Sequence, residues 1–413
     1  MRILMVNKFL ERRGGVETYI FELDRMLREA GHEVQHFGMD SQRRELGNDW
    51  DIYAPALELG GRQGASRALD VARTISSRPN ARLMSRLLDS YQPDVIHFNN
   101  LHYHLTPSVI EAADMWRRKS RRTCPLVMTL HDYHSAVPCD GCLDNTTHEI
   151  CDDCLDGHFA RCALRGCTRG GRAKSVVAAI EATHWRHRQV FSRLDLSICP
   201  SRCMRDKFER VRAFSGRTIH LPNFTSTTPG PVVEKGRYVL YFGTYNSDKG
   251  VGTLLDVAER HPEIPFVFCG RGPLAERMAG IPNVEDRGFT TGDELRSVIA
   301  RASFSVMPSE WLENSPFAVL EALACGTPVL GANAGGIPEL INPGVTGELF
   351  GFHDAADLER RLVSLWNDPA RLECYSQGCR SWSPMTPDRY LDELLHIYGD
   401  PTAALGTARA DDC

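Results

Sequence analysis

Long apolar runs are missing from this sequence, and no stretch approaches the roughly eighteen apolar residues that a membrane-spanning helix requires. The apolar start, Met1 to Asn7, is short and is followed at once by Lys8 and Glu11. This pattern predicts a first strand rather than a secretory signal. We therefore expect a cytoplasmic protein whose thiols stay reduced. Disulfide bonds are accordingly not the first explanation of its 14 cysteines.

The composition is that of a soluble globular protein, with 42% hydrophobic and 24% charged residues. A chain of 413 residues is too long for one ordinary core, which favours two domains or three. The net charge of -5 hides an asymmetry, because residues 1–225 carry an excess of Lys and Arg and residues 226–413 an excess of acid. Either the two halves bind different partners, or surface composition simply drifts along the chain.

The chain opens with a strand–helix–strand pattern. Residues 2–7 form a continuous apolar run, residues 16–30 follow a helical period, and residues 32–37 read as a second strand. Further strand-like runs follow at 94–98, 126–130 and 196–199. Helical stretches separate these runs, so the first half is predicted to be a doubly wound parallel sheet.

A break in this rhythm at residues 222–236, which contain three prolines, predicts a linker. A second series of strands is then predicted at 237–242, 266–269, 304–307 and 329–331. The fold class is therefore α/β, with two Rossmann-like domains. We expect an N-terminal domain over 1–225, a C-terminal domain over 226–390, and a helix end with an aperiodic, frayed tail over 391–413.

The segment with the most chemical information runs from Pro308 to Pro328. Ser315 suits an N-cap, Pro316 the first helical position and Gly326 the residue after the end, which predicts a helix over 316–325 that starts with Phe317 in its first turn. Helix N-termini favour bound anions. Glu313 precedes the cap, where a carboxylate would repel a phosphate, so we expect it to face the hydroxyls of a sugar. Glu321, inside the helix, is suited to accept hydrogen bonds from a ribose diol.

The two glutamates have seven residues between them, and the sequence EALACGTPV follows at 321–329, with GGIPE at 335–339. In these motifs the chain resembles the family 4 (group 1) retaining glycosyltransferases, and it is similar to the bacterial exopolysaccharide and capsule enzymes among them. The resemblance implies a GT-B fold, in which two Rossmann-like domains face a cleft. It also implies that Glu313 contacts the donor sugar and Glu321 the ribose. A capped core helix with incidental acids is the alternative.

Glycine-rich turns add candidate phosphate contacts. Gly14 and Gly15 stand between the first strand and helix, where they let the backbone approach a diphosphate, although any tight turn favours glycine. Similar enzymes carry an Arg and a Lys after the glycine that corresponds to Gly243. Lys249 is present here, but Thr244 stands in place of the Arg. Either Lys249 works alone, or another arginine such as Arg271 supplies the charge to the diphosphate.

His131 follows the apolar strand 126–130 at its carboxyl end, where ligands bind in open α/β sheets. The resemblance implies that this histidine lies near the reacting face of the donor sugar. A structural histidine is the alternative. The polar and aromatic residues in 95–104 are candidates for acceptor contacts.

Residues 139–167 hold six of the cysteines: Cys139, Cys142, Cys151, Cys154, Cys162 and Cys167. The two C-x2-C pairs could form a structural zinc site, with His148 and His158 as further ligands. The alternative is a loop of reduced thiols that packs on its own side chains. In either case we expect the insertion to shape the acceptor side and not to perform chemistry.

Two basic stretches accompany the insertion, one at 116–122 and one that contains Arg161, Arg165, Arg169, Arg172, Lys174, Arg186 and Arg188. No nucleic-acid-binding module is recognisable, so we expect no nucleic-acid partner. Anionic lipid headgroups or a polyprenyl-diphosphate-linked acceptor fit these charges, and a solvated surface is the alternative.

Together these features predict a retaining glycosyltransferase of hexosyltransferase type. It would use a UDP- or GDP-sugar, without a catalytic metal, to extend a lipid-linked glycan during surface polysaccharide biosynthesis at the inner face of the membrane. A sugar-nucleotide epimerase or a phosphorylase of the same fold and a catalytically silent binding scaffold are the alternatives. The absence of an arginine at Thr244 motivates the last of these.

Overall fold

The computed structural model describes residues 1–56, 71–139, 141–227 and 233–411, and it divides into two compact units. One unit comprises Met1–Leu221 together with Asp388–Cys413, and the other comprises Pro222–Pro387. The expected division at residue 225 is thus shifted slightly. The expectation of a separate end region is wrong, because the C-terminal segment belongs to the first unit.

The first unit is built on a six-stranded parallel sheet with the order β2-β1-β3-β4-β7-β8. Its strands are nearly all buried, as the continuous apolar runs predict for strands covered on both faces. In register, Val6 of β1 pairs with Phe98 of β3, so these strands end at the same edge. The strands are β1 Arg2–Val6, β2 Glu33–Phe37, β3 Val95–Phe98, β4 Leu126–Thr129, β7 Leu196–Cys199 and β8 Thr218–His220.

Helices connect these strands, and a small antiparallel hairpin lies in the cysteine-rich insertion. Helix α1 buries Tyr19, Ile20, Leu23 and Leu27 at helical spacing, which packs it on the sheet. The elements are α1 Gly15–Glu29, α2 Arg78–Tyr91, α3 Ser108–Ser120, β5 Leu143–Asp144, β6 Glu149–Ile150, α4 Ala160–Arg165, α5 Gly171–His187 and α6 Arg202–Glu209.

The second unit has its own six-stranded parallel sheet, in the order β11-β10-β9-β12-β13-β14, over an apolar core. Its strands are β9 Val239–Thr244, β10 Phe266–Arg271, β11 Val284–Asp286, β12 Phe304–Met307, β13 Val329–Ala332 and β14 Gly347–Phe350. Its helices are α7 Val251–Arg260, α8 Ala275–Met278, α9 Gly292–Arg301, α10 Phe317–Ala324, α11 Ile337–Leu340, α12 Ala355–Trp366 and α13 Pro369–Arg380. Each strand–helix series predicted from the sequence is thus formed.

The chain ends in two helices, α14 Pro387–Gly399 and α15 Pro401–Asp411, where the sequence predicts a frayed tail. That prediction is wrong for a local reason. Asp400 Oδ1 accepts from the backbone N–H groups of Thr402 and Ala403, both at 3.0 Å, and Pro401 occupies the first helical position. These are sufficient start signals for a helix without a strong apolar period.

The predicted linker 222–236 lies partly outside the described residues, which omit 228–232. Its start is fixed by a hydrogen bond from Thr225 N–H to the Met385 carbonyl at 3.2 Å. Among the described residues, no helix combines the length and the apolar character needed to cross a bilayer.

Candidate active site

Two loops at the carboxyl edge of the second sheet bring Lys249 and Glu313 together. Lys249 ends a short 3₁₀ turn after β9, and Glu313 lies between β12 and α10. The Lys249 ammonium donates to Glu313 Oε1 at 2.5 Å, and Ser309 Oγ donates to the same oxygen at 2.9 Å. Glu313 is buried and Lys249 is partly exposed. The site therefore holds an ion pair beside solvent, between residues 64 positions apart in the sequence.

Ser309 was missed by the sequence reasoning. It is buried, and besides Glu313 it approaches the Trp311 carbonyl at 3.3 Å. The hydroxyl orients the carboxylate from within its own loop. A serine four residues before the glutamate, in a segment already marked as chemical, is the signal that could have identified it.

Close backbone packing holds the Lys249 and Glu313 loops in place. Gly250 has φ +68°, and a Cβ there would lie 1.8 Å from the Pro308 carbonyl oxygen. Gly335 has φ +61°, and its Cβ would lie 2.2 Å from the Glu313 carbonyl oxygen, which also accepts from Gly336 N–H at 2.6 Å. Both glycines are therefore required by conformation and by space. The GG of the GGIPE motif buttresses the backbone of Glu313.

Helix α10 begins at Phe317, with Pro316 rather than Ser315 as its N-cap residue. The predicted Ser315 cap is wrong, because its buried Oγ has no hydrogen-bond partner. The Ser315 carbonyl instead accepts from Asn223 Nδ2 at 2.9 Å. Glu321 lies in the second turn of the helix, and burial raises its carboxyl pKa to about 7.

Arg271 lies beside the position of the missing arginine. It ends β10, where it is in register with Thr244 of β9. Paired residues on adjacent parallel strands direct their side chains to the same face of a sheet. Arg271 is exposed, and its guanidinium carbon lies 4.5 Å from the centre of the Phe289 ring. Gly243, one residue before Thr244, is also exposed, so this edge of the sheet is open.

In the first unit, His131 follows β4 and lies next to Asn99, which follows β3. His131 Nε2 is 2.9 Å from Asn99 Oδ1, and the His131 ring makes an edge contact with Tyr19 at 5.2 Å. Burial lowers the pKa of His131 to about 4, so the imidazole is neutral at pH 7. A neutral imidazole that uses Nε2 toward an amide oxygen is fixed in one orientation. Asn99 is a second residue that sequence reasoning missed.

Gly14 and Gly15 are both exposed at the start of α1, on the same sheet edge as His131. The side chain of Asn7 connects this turn to the turn that follows β3. Its Nδ2 donates to Glu17 Oε1 at 3.3 Å, and its Oδ1 accepts from Asn100 N–H at 3.1 Å. The turns after β1 and β3 are therefore held together by one buried amide.

Part of the 95–104 segment is not available for an acceptor, contrary to expectation. His97 is fully buried, with Nδ1 2.6 Å from Tyr398 Oη and Nε2 2.8 Å from Thr129 Oγ1. Burial lowers its pKa to about 3. Tyr19 Oη approaches Thr129 Oγ1 at 3.2 Å and Tyr390 Oη at 2.8 Å. This buried network attaches α14 to the first sheet and is structural.

Zinc binding by the cysteines of 139–167 stays a prediction. Cys162 and Cys167 approach to 3.0 Å between sulfurs, which is a thiol–thiol hydrogen bond. Thiolates around one zinc ion lie roughly 3.8 Å apart, as Zn–S distances of about 2.3 Å require. In the part of the chain that the structure describes, the one group of three potential ligands within 4.8 Å of one another is His102, His134 and Glu181. The six cysteines supply no such group.

Comparisons with known proteins agree with this architecture. Sucrose-phosphate synthase from Thermosynechococcus elongatus superposes with a TM-score of 0.69 at 17% identity. The superposition covers 98% of this chain and 99% of that one. HepE from Anabaena, in complex with UDP, superposes with a TM-score of 0.65 at 16% identity over 97% of this chain and 100% of that one. At such identities the likeness concerns the fold, which is the GT-B fold of glycosyltransferases.

Family models identify both units. Residues 14–223 match the glycosyl transferase 4-like domain, and residues 227–382 match the glycosyl transferases group 1 family. The chain therefore belongs to the family 4 (group 1) glycosyltransferases.

Curated relatives cover the chain unevenly. A sulfoquinovosyl transferase from Arabidopsis thaliana is 36% identical over 149 residues, which is 34% of this chain and 29% of that protein. A D-inositol 3-phosphate glycosyltransferase from Salinispora tropica is 25% identical over 96% of this chain and 83% of its own length. The chain spans less than half of the first relative and of a similar Salinispora arenicola enzyme, 29% and 46% respectively.

Proposed function

We propose that this glycosyltransferase moves a hexose from a nucleotide sugar to a glycan acceptor with retention of anomeric configuration. The observation that carries the proposal is the Lys249–Glu313 pair, oriented by Ser309 at the carboxyl edge of the second sheet. Charged and hydroxyl groups at that edge suit a ligand that carries both a diphosphate and sugar hydroxyls. The unit that contains them matches the group 1 family.

In this account the donor replaces the internal ion pair. The diphosphate gives the Lys249 ammonium a new anionic partner, and Glu313 is released to accept hydrogen bonds from the sugar. Glycosyl transfer breaks the bond between the anomeric carbon and the diphosphate, so negative charge develops on the leaving group. Lys249, Arg271 and the N-terminus of α10 are the groups suited to stabilise that charge. Gly243, Ser315, Pro316 and Phe317 supply the surrounding backbone.

Glu321 is proposed to bind the ribose. A carboxylate accepts two hydrogen bonds and donates none, which matches a vicinal diol. In the first unit, Gly14 and Gly15 are proposed to allow close approach of a phosphate, and neutral His131 to contact the reacting face of the sugar. An uncharged imidazole can accept a hydrogen bond from a sugar hydroxyl without placing a positive charge beside an oxocarbenium-like centre. Retention would then follow from attack on the face that the leaving group departs from.

The proposed donor is a UDP- or GDP-sugar. HepE, a neighbour in fold, has been crystallised with UDP and with UDP-glucose. A relative from Corynebacterium glutamicum, 30% identical over 172 residues, is a GDP-mannose-dependent alpha-mannosyltransferase. Both bases therefore belong in any assay.

We further propose that the acceptor is lipid-linked and that the protein binds peripherally to an anionic membrane. Its role would be surface polysaccharide assembly in the cytoplasm. Leu164 on α4 and Val176 and Ile180 on α5 are exposed apolar side chains, at 77%, 43% and 52%. The same helices carry exposed Arg161, Arg165 and Arg172. Apolar side chains among basic ones are the composition of membrane-surface helices.

Vesicle sedimentation tests this surface. We expect binding to anionic vesicles that weakens with salt, and weaker binding by a Leu164→Ser, Ile180→Ser double variant. Val345→Ser is the matched control, because Val345 is exposed at 44% in the second unit. Equal binding to neutral vesicles, or no effect of the double variant, would contradict a membrane role for these helices.

A transfer assay tests the activity itself. The protein is incubated with UDP- and GDP-hexoses and a polyprenyl-diphosphate-linked sugar, and the product's anomeric configuration is read by proton NMR. We expect one donor to be consumed with retained configuration. Interconversion of the donor sugar without transfer would favour the epimerase reading, and an inverted product would remove the retaining mechanism.

A further inference from the structure

A buried cluster of side chains in the first unit contains two imidazoles and one carboxylate. His102 follows β3, His134 follows β4 and Glu181 lies on α5. All three side chains are buried, and their potential ligand atoms lie within 4.8 Å of one another. Three segments far apart in the sequence therefore converge on one point inside the first unit.

The distances in this cluster are those between ligands of one metal ion. His102 Nδ1 lies 3.3 Å from Glu181 Oε1, and His134 Nε2 lies 3.1 Å from Glu181 Oε2. Two ligand atoms about 2.0–2.1 Å from a tetrahedral ion lie roughly 3.3–3.4 Å apart. Both contacts are therefore close to the spacing of two ligands around one ion.

The second ring nitrogen of His102 also has a hydrogen-bond partner. His102 Nε2 lies 3.0 Å from Ser135 Oγ. In the tautomer in which Nε2 donates to that hydroxyl, the Nδ1 lone pair faces the Glu181 carboxylate and is available to bind a metal ion. Metal-ligating histidines commonly use their second nitrogen in this way.

The two imidazole rings are close together, with centroids 4.0 Å apart. A divalent ion satisfies two neutral imidazoles and one carboxylate at once.

Access for an ion comes from a cavity of about 410 Å³ that all three residues line. Trp185 and Phe191 give this cavity apolar walls, and Arg186, Arg210 and Arg217 give it positive charge. A metal bound by three side chains keeps one tetrahedral position open toward such a space.

We propose that His102, His134 and Glu181 bind a divalent transition-metal ion, with zinc as the ion that two imidazoles and a carboxylate favour. The ion clamps the loops after β3 and β4 to α5. Asn99 and His131 each lie three residues before a ligand, so the clamp sets the position of the Asn99–His131 pair. The inference is independent of the sugar or acceptor used by the enzyme.

Metal analysis of the purified protein tests the site directly. We expect about one zinc ion per chain, its removal by a strong chelator with a lower melting temperature, and recovery of that temperature on addition of zinc. A metal-free preparation whose melting temperature does not respond to zinc, cobalt or nickel would overturn the proposal.

Cobalt substitution distinguishes this site from the cysteines of the insertion. We expect visible d–d bands of tetrahedral cobalt without the near-ultraviolet band of thiolate-to-cobalt charge transfer. A strong thiolate band would assign the metal to the cysteines and contradict the proposal.

Matched variants give a further readout. Glu181→Gln keeps the size of the side chain and should lose the metal, while His187→Gln, an exposed histidine on the same helix, should keep it. Cys151→Ser should also keep it. If Glu181→Gln does not fold, the chelation and cobalt spectra of the wild-type protein still decide the matter.

Discussion

The ammonium of Lys249 donates to Oε1 of Glu313 at 2.5 Å, across the carboxyl edge of the second sheet. The sequence suggests separate partners for these residues, a diphosphate for the lysine and a sugar for the glutamate. Their pairing means that each charge is balanced before a donor arrives. Because the ion pair is partly exposed, an incoming diphosphate can compete for the ammonium without a large rearrangement.

Removal of the Lys249 charge should weaken nucleotide binding. A hydrogen bond to a charged group contributes about 1.5–3 kcal/mol, so Lys249→Ala should lower the affinity for the correct nucleoside diphosphate about 10- to 100-fold. Lys249→Arg keeps the charge and should lose less. Isothermal titration calorimetry measures both. Unchanged affinity in Lys249→Ala would remove this lysine from the donor site.

Arg271 and Thr244 allow a rescue experiment. Because the two residues are paired in register, we expect Arg271→Ala to weaken diphosphate binding about tenfold. Addition of Thr244→Arg should restore it, since the new guanidinium starts from the neighbouring strand. Calorimetric titration with UDP and GDP gives the comparison. If Arg271→Ala binds normally, Arg271 does not replace the missing arginine.

Alanine substitutions at Gly335 and Gly344 can distinguish the cost of backbone strain from the cost of steric contact. Both have positive φ, but an added Cβ at Gly344 has nothing within 4 Å, whereas at Gly335 it meets the Glu313 carbonyl at 2.2 Å. Gly344→Ala should cost about 1 kcal/mol of unfolding free energy, and Gly335→Ala clearly more. Gly335→Ala should also disturb nucleotide binding. Denaturant unfolding and calorimetry measure the two effects, and equal behaviour of both variants would contradict the buttress role.

The Glu321 carboxyl predicts a pH dependence of stability. Its folded-state pKa is raised from 4.5 to about 7, so the folded protein favours the protonated form. Stability linked to this group is full below pH 4.5, declines between 4.5 and 7, and is lost above 7. Glu321→Gln should therefore be stabilised relative to the wild type at pH 8 but not at pH 4. Thermal melts at both pH values measure this, and a constant difference would contradict it.

Nucleotide binding should respond to pH in the opposite sense. If the carboxylate form of Glu321 accepts the ribose hydroxyls, affinity rises with pH through about 7 and a proton is released on binding. The nucleotide titrates as well, so the comparison with Glu321→Gln isolates the contribution of the enzyme. The same pH slope in both proteins would exclude a charged contact between Glu321 and the ribose.

Much of this architecture could be predicted because it depends on local patterns. Apolar runs located both sheets, and the glycines and prolines around 308–328 located α10. The motifs at 321–329 and 335–339 identified the family. Predictions failed where one sequence pattern was compatible with two local structures. Ser315 looked like a cap, but the helix starts one residue later than the Pro316 start predicted for it.

Contacts between distant segments were beyond prediction from one sequence. The ion pair of Lys249 with Glu313, the burial of His97 against Tyr398 and the His102–His134–Glu181 cluster all join residues from separate elements. Nothing in their spacing marks them as neighbours. The close cysteine pairs, by contrast, suggested a metal site through spacing alone, and zinc binding there stays a prediction.

The central claim is that the Lys249–Glu313 pair acts on a nucleotide sugar. Release of nucleoside diphosphate from donor alone, without acceptor, tests it most directly in the wild type, in Glu313→Gln and in the control Glu310→Gln. Glu310 lies in the same loop, but its carboxylate Oε1 accepts a hydrogen bond from Thr253 Oγ1 at 2.5 Å. We expect slow release by the wild type and Glu310→Gln, and at least a hundredfold loss in Glu313→Gln with nucleotide affinity retained. No release from any nucleotide sugar, or normal release by Glu313→Gln, would contradict the account.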